Sequence, residues 1–358
     1  MISQKSLDID WLSEVSKKNR KADKILVEKV IRALLLLEGL VEAKLPFVFK
    51  GGTALMLMLG STKRLSIDID VIMPEKTEEM EAAFEDILSA KGFNRFELHE
   101  RNQNSDIEKA HYKFYYTPAH KTNQVEEYIL LDILFEKPAY QNIISIPVDS
   151  AFVQQEGEPL MVQVPSFEDI LGDKLTAFAP NTTGIPYEKN GHSRAMEIIK
   201  QMYDIGCICA HAEDGEVVCA TFNAFATTEL GYRNLELLPA DVLDDIYDTA
   251  LTICTKGQSG KGNYAALSRG ITQIKNFIFS ENYHPDRAIV CASKAAYLAI
   301  IVKAGGKTIE KYTDTKQMAD WVIEQPFDTK LNKLKKSNPE AFFYWYKIYE
   351  LQKALAEK

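Results

Sequence analysis

The chain is poor in the features that mark secreted and membrane-spanning proteins. Its five cysteines, an odd number in 358 residues, exclude a disulfide-built scaffold and read as buried or free thiols in a reducing compartment. No apolar run approaches the roughly 18 to 20 residues that cross a bilayer. The longest, Ala33 to Leu37, is interrupted at once by Glu38. The opening MISQKSLDIDWLSEV has no basic stretch followed by an apolar one, so no signal peptide is expected and the expected location is cytoplasmic, without membrane contact. What is present is ordinary for a globular protein: 46% hydrophobic and 26% charged residues, which excludes wholesale disorder. The length suits roughly two domains.

Basic charge is scarce overall and unevenly placed. The net charge is −9, yet residues 1–50 carry 10 Lys/Arg against 7 Asp/Glu and residues 326–358 carry 7 against 4. Each end is therefore +3 and the stretch between them −15. That balance excludes a general nucleic-acid coat. It leaves two local patches, Lys17-Lys18-Asn19-Arg20-Lys21 with Lys24, and Lys330, Lys333, Lys335 and Lys336, each of which reads first as a solvated helix face.

Periodicity predicts one helix over 7–43, a short strand at Phe47-Val48-Phe49, a buried helix after Gly51-Gly52, and a strand from Leu65 to Met73. A helix over 76–91 follows, then strands at 111–117 and 127–135. Ser166 reads as the N-cap of a helix over 167–179, and another helix is expected over about 193–209. The remainder is mainly helical by pattern. The expected organisation is an α+β domain over 1–205, with a mixed sheet flanked by helices, followed by a mainly helical domain over 206–358.

The chemistry concentrates in Lys50 to Val71, KGGTALMLMLGSTKRLSIDIDV. Asp68 and Asp70 stand two apart in a strand pattern, so both carboxylates project from one face while Ile67, Ile69 and Val71 face the core. Like charges this close repel, and partial burial raises the cost. A divalent cation relieves it, and oxygen-only ligation favours Mg²⁺ or Mn²⁺. Upstream, Gly51-Gly52-Thr53 joins a strand to a helix, where bare backbone and a helix N-terminus suit a phosphate. Arg64 offers a planar donor fork to phosphate oxygens. Singly these signals are weak, since D-x-D arises by chance and Gly-Gly is usually a turn. In this order and spacing they are specific.

The arrangement resembles the nucleotidyltransferase fold typified by DNA polymerase β. KGGTAL followed by R-x-S-x-D-I-D more closely resembles the AbiEii family, the nucleotidyltransferase-like toxins of AbiE toxin–antitoxin systems. Asp173-Lys174-Leu175-Thr176-Ala177 and Ile198 to Ile205 resemble two later motifs of that family, so the likeness covers about residues 25–205. It implies that Asp68 and Asp70 hold the metal that bridges a nucleoside triphosphate. Lys50, Gly51, Gly52, Thr53, Arg64 and Ser66 would bind the nucleotide, Ser66 by orienting phosphate. Lys174 would meet the triphosphate charge, and Asp204 would complete the site as a base or a lysine-positioning carboxylate. Many members carry Asp where this chain has Gln201, which leaves Asp204 as the carboxylate of that motif. The polymerase-β-like pattern also asks for a third carboxylate on a neighbouring strand. Asp132, the lone charge within Tyr128 to Phe135, fits as a metal ligand, or else as a structural Asp taking backbone N–H groups.

The resemblance thus implies a metal-dependent transfer of a nucleotide from a nucleoside triphosphate to RNA, at the acceptor end of tRNA. It implies a toxin role in phage defence, with a separately encoded AbiEi-like antitoxin as partner. The alternatives are transfer to a small molecule or protein hydroxyl, or a member that binds nucleotide or partner without turnover. Weaker signals read structurally. Lys256 to Gly262 lacks P-loop spacing and is expected to be a flexible basic loop. Cys207, Cys209 and His211 have poor geometry for zinc, His111 is expected to be packed rather than catalytic, and the aromatics at 342–346 are expected in the core.

Overall fold

A computed structural model describes residues 1–60, 64–99, 108–120 and 125–357. The described chain packs as two compact units, Met1–Pro165 with Phe277–Asn282, and Ser166–Asn276 with Tyr283–Lys358. The units divide at Pro165 rather than near 205, because the helices carrying the Lys174 and Asp204 motifs pack with the helical remainder.

The first unit opens with α1 (Ile9–Lys18) and α2 (Lys24–Glu42). The single helix expected over 7–43 is broken between them, where Arg20 and Lys21 adopt positive φ values of 52° and 58°. Asp23 restarts the helix by accepting from the Ile25 N–H at 2.8 Å. The first basic run therefore falls at a helix end, where Lys18 pairs with Glu14 and Lys24 donates to Ser13. There follow β1 (Val48–Lys50), α3 (Gly51–Met58), β2 (Ile69–Met73), α4 (Met80–Lys91), β3 (Arg95–Leu98), β4 (Lys109–Tyr116) and β5 (Glu127–Phe135). A hairpin, β6 (Ile143–Pro147) with β7 (Met161–Pro165), closes the unit.

The five-stranded sheet has the order β1-β2-β5-β4-β3. Only β2 and β5 run parallel; the other neighbouring pairs are antiparallel. Alternation sorts each strand's side chains onto two faces. Ile129, Leu131 and Ile133 of β5, with Ala110, Tyr112, Phe114 and Tyr116 of β4, are buried in one core with α2. Phe84 of α4 meets Phe96, Tyr112 and Phe114 edge-on at centroid distances of 5.4, 5.0 and 5.3 Å. The other face carries the polar residues, and the site lies there.

The second unit comprises α5 (Phe167–Ala177), a small hairpin, α6 (Ala195–Ile208), α7 (Gly215–Tyr232), α8 (Pro239–Cys254), α9 (Tyr264–Gln273), α10 (Pro285–Ala304), the short α11 (Leu334–Ser337) and α12 (Pro339–Ala356). Ser166 caps α5 as expected, accepting from the Asp169 N–H at 3.2 Å. α10 is buried from Ala288 to Val302 and packs against α6, α8 and α12. Phe342, Phe343, Tyr344 and Trp345 are core residues. The cysteines are free thiols, and burial pushes Cys209 up to about 11 and Cys254 up to about 12. Neutral thiols in that setting are packing groups, as the sequence predicts.

Candidate active site

The sheet register builds the first part of the site. Lys50 of β1 is the direct partner of Asp70 on β2, and Asp70 is the direct partner of Asp132 on β5. Asp132 is in turn the partner of His111 on β4. Direct partners point to the same face, so four side chains form one row across four strands. Neighbouring strands lie about 4.8 Å apart. Two carboxylates at that spacing repel by about 3 kcal/mol at an effective dielectric near 20. Lys50 and His111 flank them, and His111 Nδ1 lies 2.5 Å from Asp132 Oδ1. Asp68, just before β2, is exposed, while Asp70 and Asp132 are half-buried.

The turn between β1 and α3 supplies the second part. Gly51 has φ = +80°, a conformation that favours glycine, and a side chain there would collide with the Asp70 carboxylate. A Cβ on Gly52 would stand 2.6 Å from Ser66 Oγ and 2.8 Å from Arg64 Nη2. Bare backbone at the start of an eight-residue helix is thus pressed against Asp70, Ser66 and Arg64. First-turn amides with the positive end of the helix dipole suit an anion, and Arg64 adds a guanidinium. The Thr53 hydroxyl donates to the Asp68 carbonyl at 2.7 Å and the residue is fully buried, so it holds the entry to β2. Leu65 N–H donates to the Phe277 carbonyl at 3.0 Å, and Arg64 bridges to Ile278, which fixes the segment carrying Arg64 and Ser66.

Lys174 and Asp204 belong to the second unit. Lys174 Nζ donates to Asp204 Oδ2 at 2.8 Å and to Gln201 Oε1 at 3.2 Å. The side chains are 9% and 2% exposed, so this is a buried pair held between α5 and α6. Gln201 stands where an aspartate was expected and gives the ammonium a neutral acceptor. The geometry makes Asp204 the partner that positions Lys174.

Whether the first-unit carboxylates suit a divalent cation is a question of donor chemistry. Asp68 and Asp70 at the start of β2, and Asp132 in the middle of β5, offer oxygen only, which fits Mg²⁺ or Mn²⁺ in kind. Among the described residues, no three His, Cys, Asp or Glu side chains converge tightly enough to enclose an ion, and Asp132 has one oxygen on His111. His111, expected to be packed rather than catalytic, is 14% exposed and joins the row through its contact with Asp132. Its place between Ala110 and Tyr112, both buried, was the available signal that it faces the other side of the strand.

A mixed sheet with paired acidic residues beside a glycine turn, followed by a helical body, defines the nucleotidyltransferase-like class. A family model described as "Nucleotidyl transferase AbiEii toxin, Type IV TA system" matches residues 35–261, and the chain belongs to that family. The match runs further into the helical region than the motifs at 25–205. Membership makes it a nucleotidyltransferase-type toxin of a type IV toxin–antitoxin system, and implies a nucleotide substrate and an antitoxin partner. JHP933 from Helicobacter pylori is 16% identical, covers 77% of this chain and 89% of its own, and superposes with a TM-score of 0.41. A nucleotidyltransferase candidate from H. pylori is 18% identical, with 77% and 92% coverage and a TM-score of 0.42. Likeness at that level adds nothing to the family match. No curated protein matches the chain. Among the described residues, no helix is long and apolar enough to cross a membrane.

Proposed function

We propose that the chain transfers a nucleotide from a nucleoside triphosphate to RNA, at the acceptor end of tRNA, in a reaction that depends on Mg²⁺ or Mn²⁺. The observation that carries this reading is the pressing of the Gly51-Gly52 backbone onto Asp70, Ser66 and Arg64. Phosphate donors and a carboxylate pair are built into a single turn and its neighbouring strand. Bound at Asp68, Asp70 and Asp132, the cation would offset triphosphate charge and the charge that develops during transfer.

The chain's own residues do the rest. The first-turn amides of α3, with Arg64 and Ser66, hold phosphate oxygens, and Lys50 flanks them with positive charge. An acceptor hydroxyl oxygen forms a bond to the α-phosphorus. The bond to the bridging oxygen of the β-phosphate breaks, and pyrophosphate leaves with that electron pair. The hydroxyl proton passes to solvent. His111 holds one oxygen of Asp132 and so orients that carboxylate. Lys174 meets triphosphate charge, as the family implies, with Asp204 and Gln201 keeping its ammonium in place. Antitoxin binding and a role in phage defence belong to the same reading.

The test is incubation of the full chain with each of the four α-labelled nucleoside triphosphates and Mg²⁺, separately, against total RNA, total protein and small hydroxylated compounds. Label in the tRNA fraction is expected. Label only in protein or in small molecules overturns the RNA acceptor, and triphosphate binding without pyrophosphate release overturns catalysis.

A further inference from the structure

Two basic segments that the candidate active site does not use meet in the second unit. The loop 256–262 follows α8, and residues 330–338 lead into α12. Lys330 Nζ donates to the Gln258 carbonyl at 3.1 Å and to the Ser259 hydroxyl at 3.0 Å, which ties one segment to the other. Together they wall a cavity of about 230 Å³ lined by Lys256, Lys330 and Lys333, with Thr255, Ser337 and Asn338 among its polar groups.

The loop expected to be flexible is tied down by hydrogen bonds to α8 and its end. Buried Thr255 donates to the Leu251 carbonyl at 2.8 Å and accepts from the Ser259 N–H at 3.0 Å. Thr252 accepts from the Gly262 N–H at 2.8 Å. These bonds hold Lys256 at φ = +54°, a backbone conformation that a non-glycine residue keeps only where its surroundings enforce it.

The charges are left over for a ligand. Lys261 is matched by Asp248 at 3.1 Å, whereas Lys256, Lys330 and Lys333 make no ion pair among the described residues. The acidic member of the lining is Asp286, itself 3.8 Å from the His284 ring. Three ammonium groups against one carboxylate select an anion, and lysines act on phosphate as point charges. The volume lies below the roughly 300–1,000 Å³ of pockets that enclose whole small ligands. It suits one charged group of a larger molecule better than a complete nucleotide.

We propose that this cavity binds a backbone phosphate of the RNA acceptor. The proposal rests on the RNA-acceptor reading above and adds a contact surface distant in sequence from the catalytic motifs. A free nucleotide offers the same phosphate chemistry, so the test separates the two sources.

Fluorescence anisotropy of fluorescein-labelled tRNA, and of a fluorescent nucleoside triphosphate, is measured on the full chain between about 50 and 200 mM KCl. The pair Lys256→Ala with Lys333→Ala is expected to weaken tRNA binding at least about tenfold at the lower salt and to reduce the salt slope by about two. Triphosphate affinity and the thermal unfolding midpoint stay unchanged, and the pair Lys256→Arg with Lys333→Arg retains tRNA binding. An unchanged tRNA affinity and slope in the alanine pair overturns the proposal. A fall in triphosphate affinity alone overturns RNA as the source. Binding is read without turnover, so a wild-type chain that binds tRNA through these lysines but transfers nothing contradicts the catalytic reading only.

Discussion

Two charge pairs, one in each unit, solve opposite problems. Asp70 and Asp132 are like charges set side by side by strand register and left half-buried. Lys174 and Asp204 are opposite charges, buried and bonded at 2.8 Å. The second pair is complete within the fold, and its geometry keeps an ammonium in place. The first sets like charges side by side, with Lys50 and His111 as their neighbours in the row. The fold sets like charges together at one place and pairs opposite charges at the other, and the first arrangement is the one proposed above to hold a cation.

That contrast can be broken in several ways. The largest effect is on function: Asp70→Asn should abolish growth inhibition on expression while the chain still folds cooperatively, as read from its unfolding transition. Growth inhibition surviving at equal protein level would remove the carboxylate from the mechanism. The next effect is on stability. Lys174→Met alone takes the ammonium away from a buried carboxylate and should cost about 3–5 kcal/mol. Adding Asp204→Leu should recover much of it, as read by urea unfolding. No recovery would show that the pair is not the unit.

Ligand addition sharpens the same comparison. Mg²⁺ at about a hundred times its dissociation constant should stabilise the wild-type chain by about 2.7 kcal/mol and Asp70→Asn hardly at all. Equal stabilisation of both would place the cation elsewhere. Gly51→Ala should cost about 1–2 kcal/mol for its left-handed backbone and lose transfer activity through the collision with Asp70. His111→Gln should shift the Mn²⁺ titration midpoint by about 10- to 100-fold while leaving the fold intact, and an unmoved midpoint would reduce His111 to packing.

The smallest effect concerns the second unit alone. Burial raises Cys209 to about 11 and Cys254 to about 12, each above an ordinary value of 9.0. The folded state therefore holds these protons more tightly than the unfolded one. Their contribution is complete below pH 9.0 and falls as pH rises toward those raised values. Unfolding followed at stepped alkaline pH should show that slope, and Cys209→Ser with Cys254→Ser should reduce it, the buried tyrosines such as Tyr247 keeping the rest.

Much of this was legible in the sequence. Alternation in β5 and the apolar stripe of α2 place those elements closely, and the motif order KGGTAL to DID marks the turn and the strand that build the site. Three things were not legible. Register is a tertiary property, so nothing local showed that Lys50, Asp70, Asp132 and His111 share a row. The break at Asn19 to Asp23 depends on left-handed residues that carry no glycine signal. The hydrogen bonds from Lys330 to Gln258 and Ser259 span more than seventy residues, so loop 256–262 read alone looked slack. Thr53 shows the converse limit. Its motif position suggested a phosphate ligand, but the chain uses its hydroxyl to hold the Asp68 carbonyl.

The central claim is that the paired carboxylates drive nucleotide transfer. The most direct measurement is incorporation of α-labelled nucleotide into purified tRNA by wild-type and Asp70→Asn chains of matched unfolding midpoint, with Mg²⁺ present. Label is expected in tRNA with the wild type and only background with the variant. Incorporation by Asp70→Asn within a few-fold of wild type would contradict it.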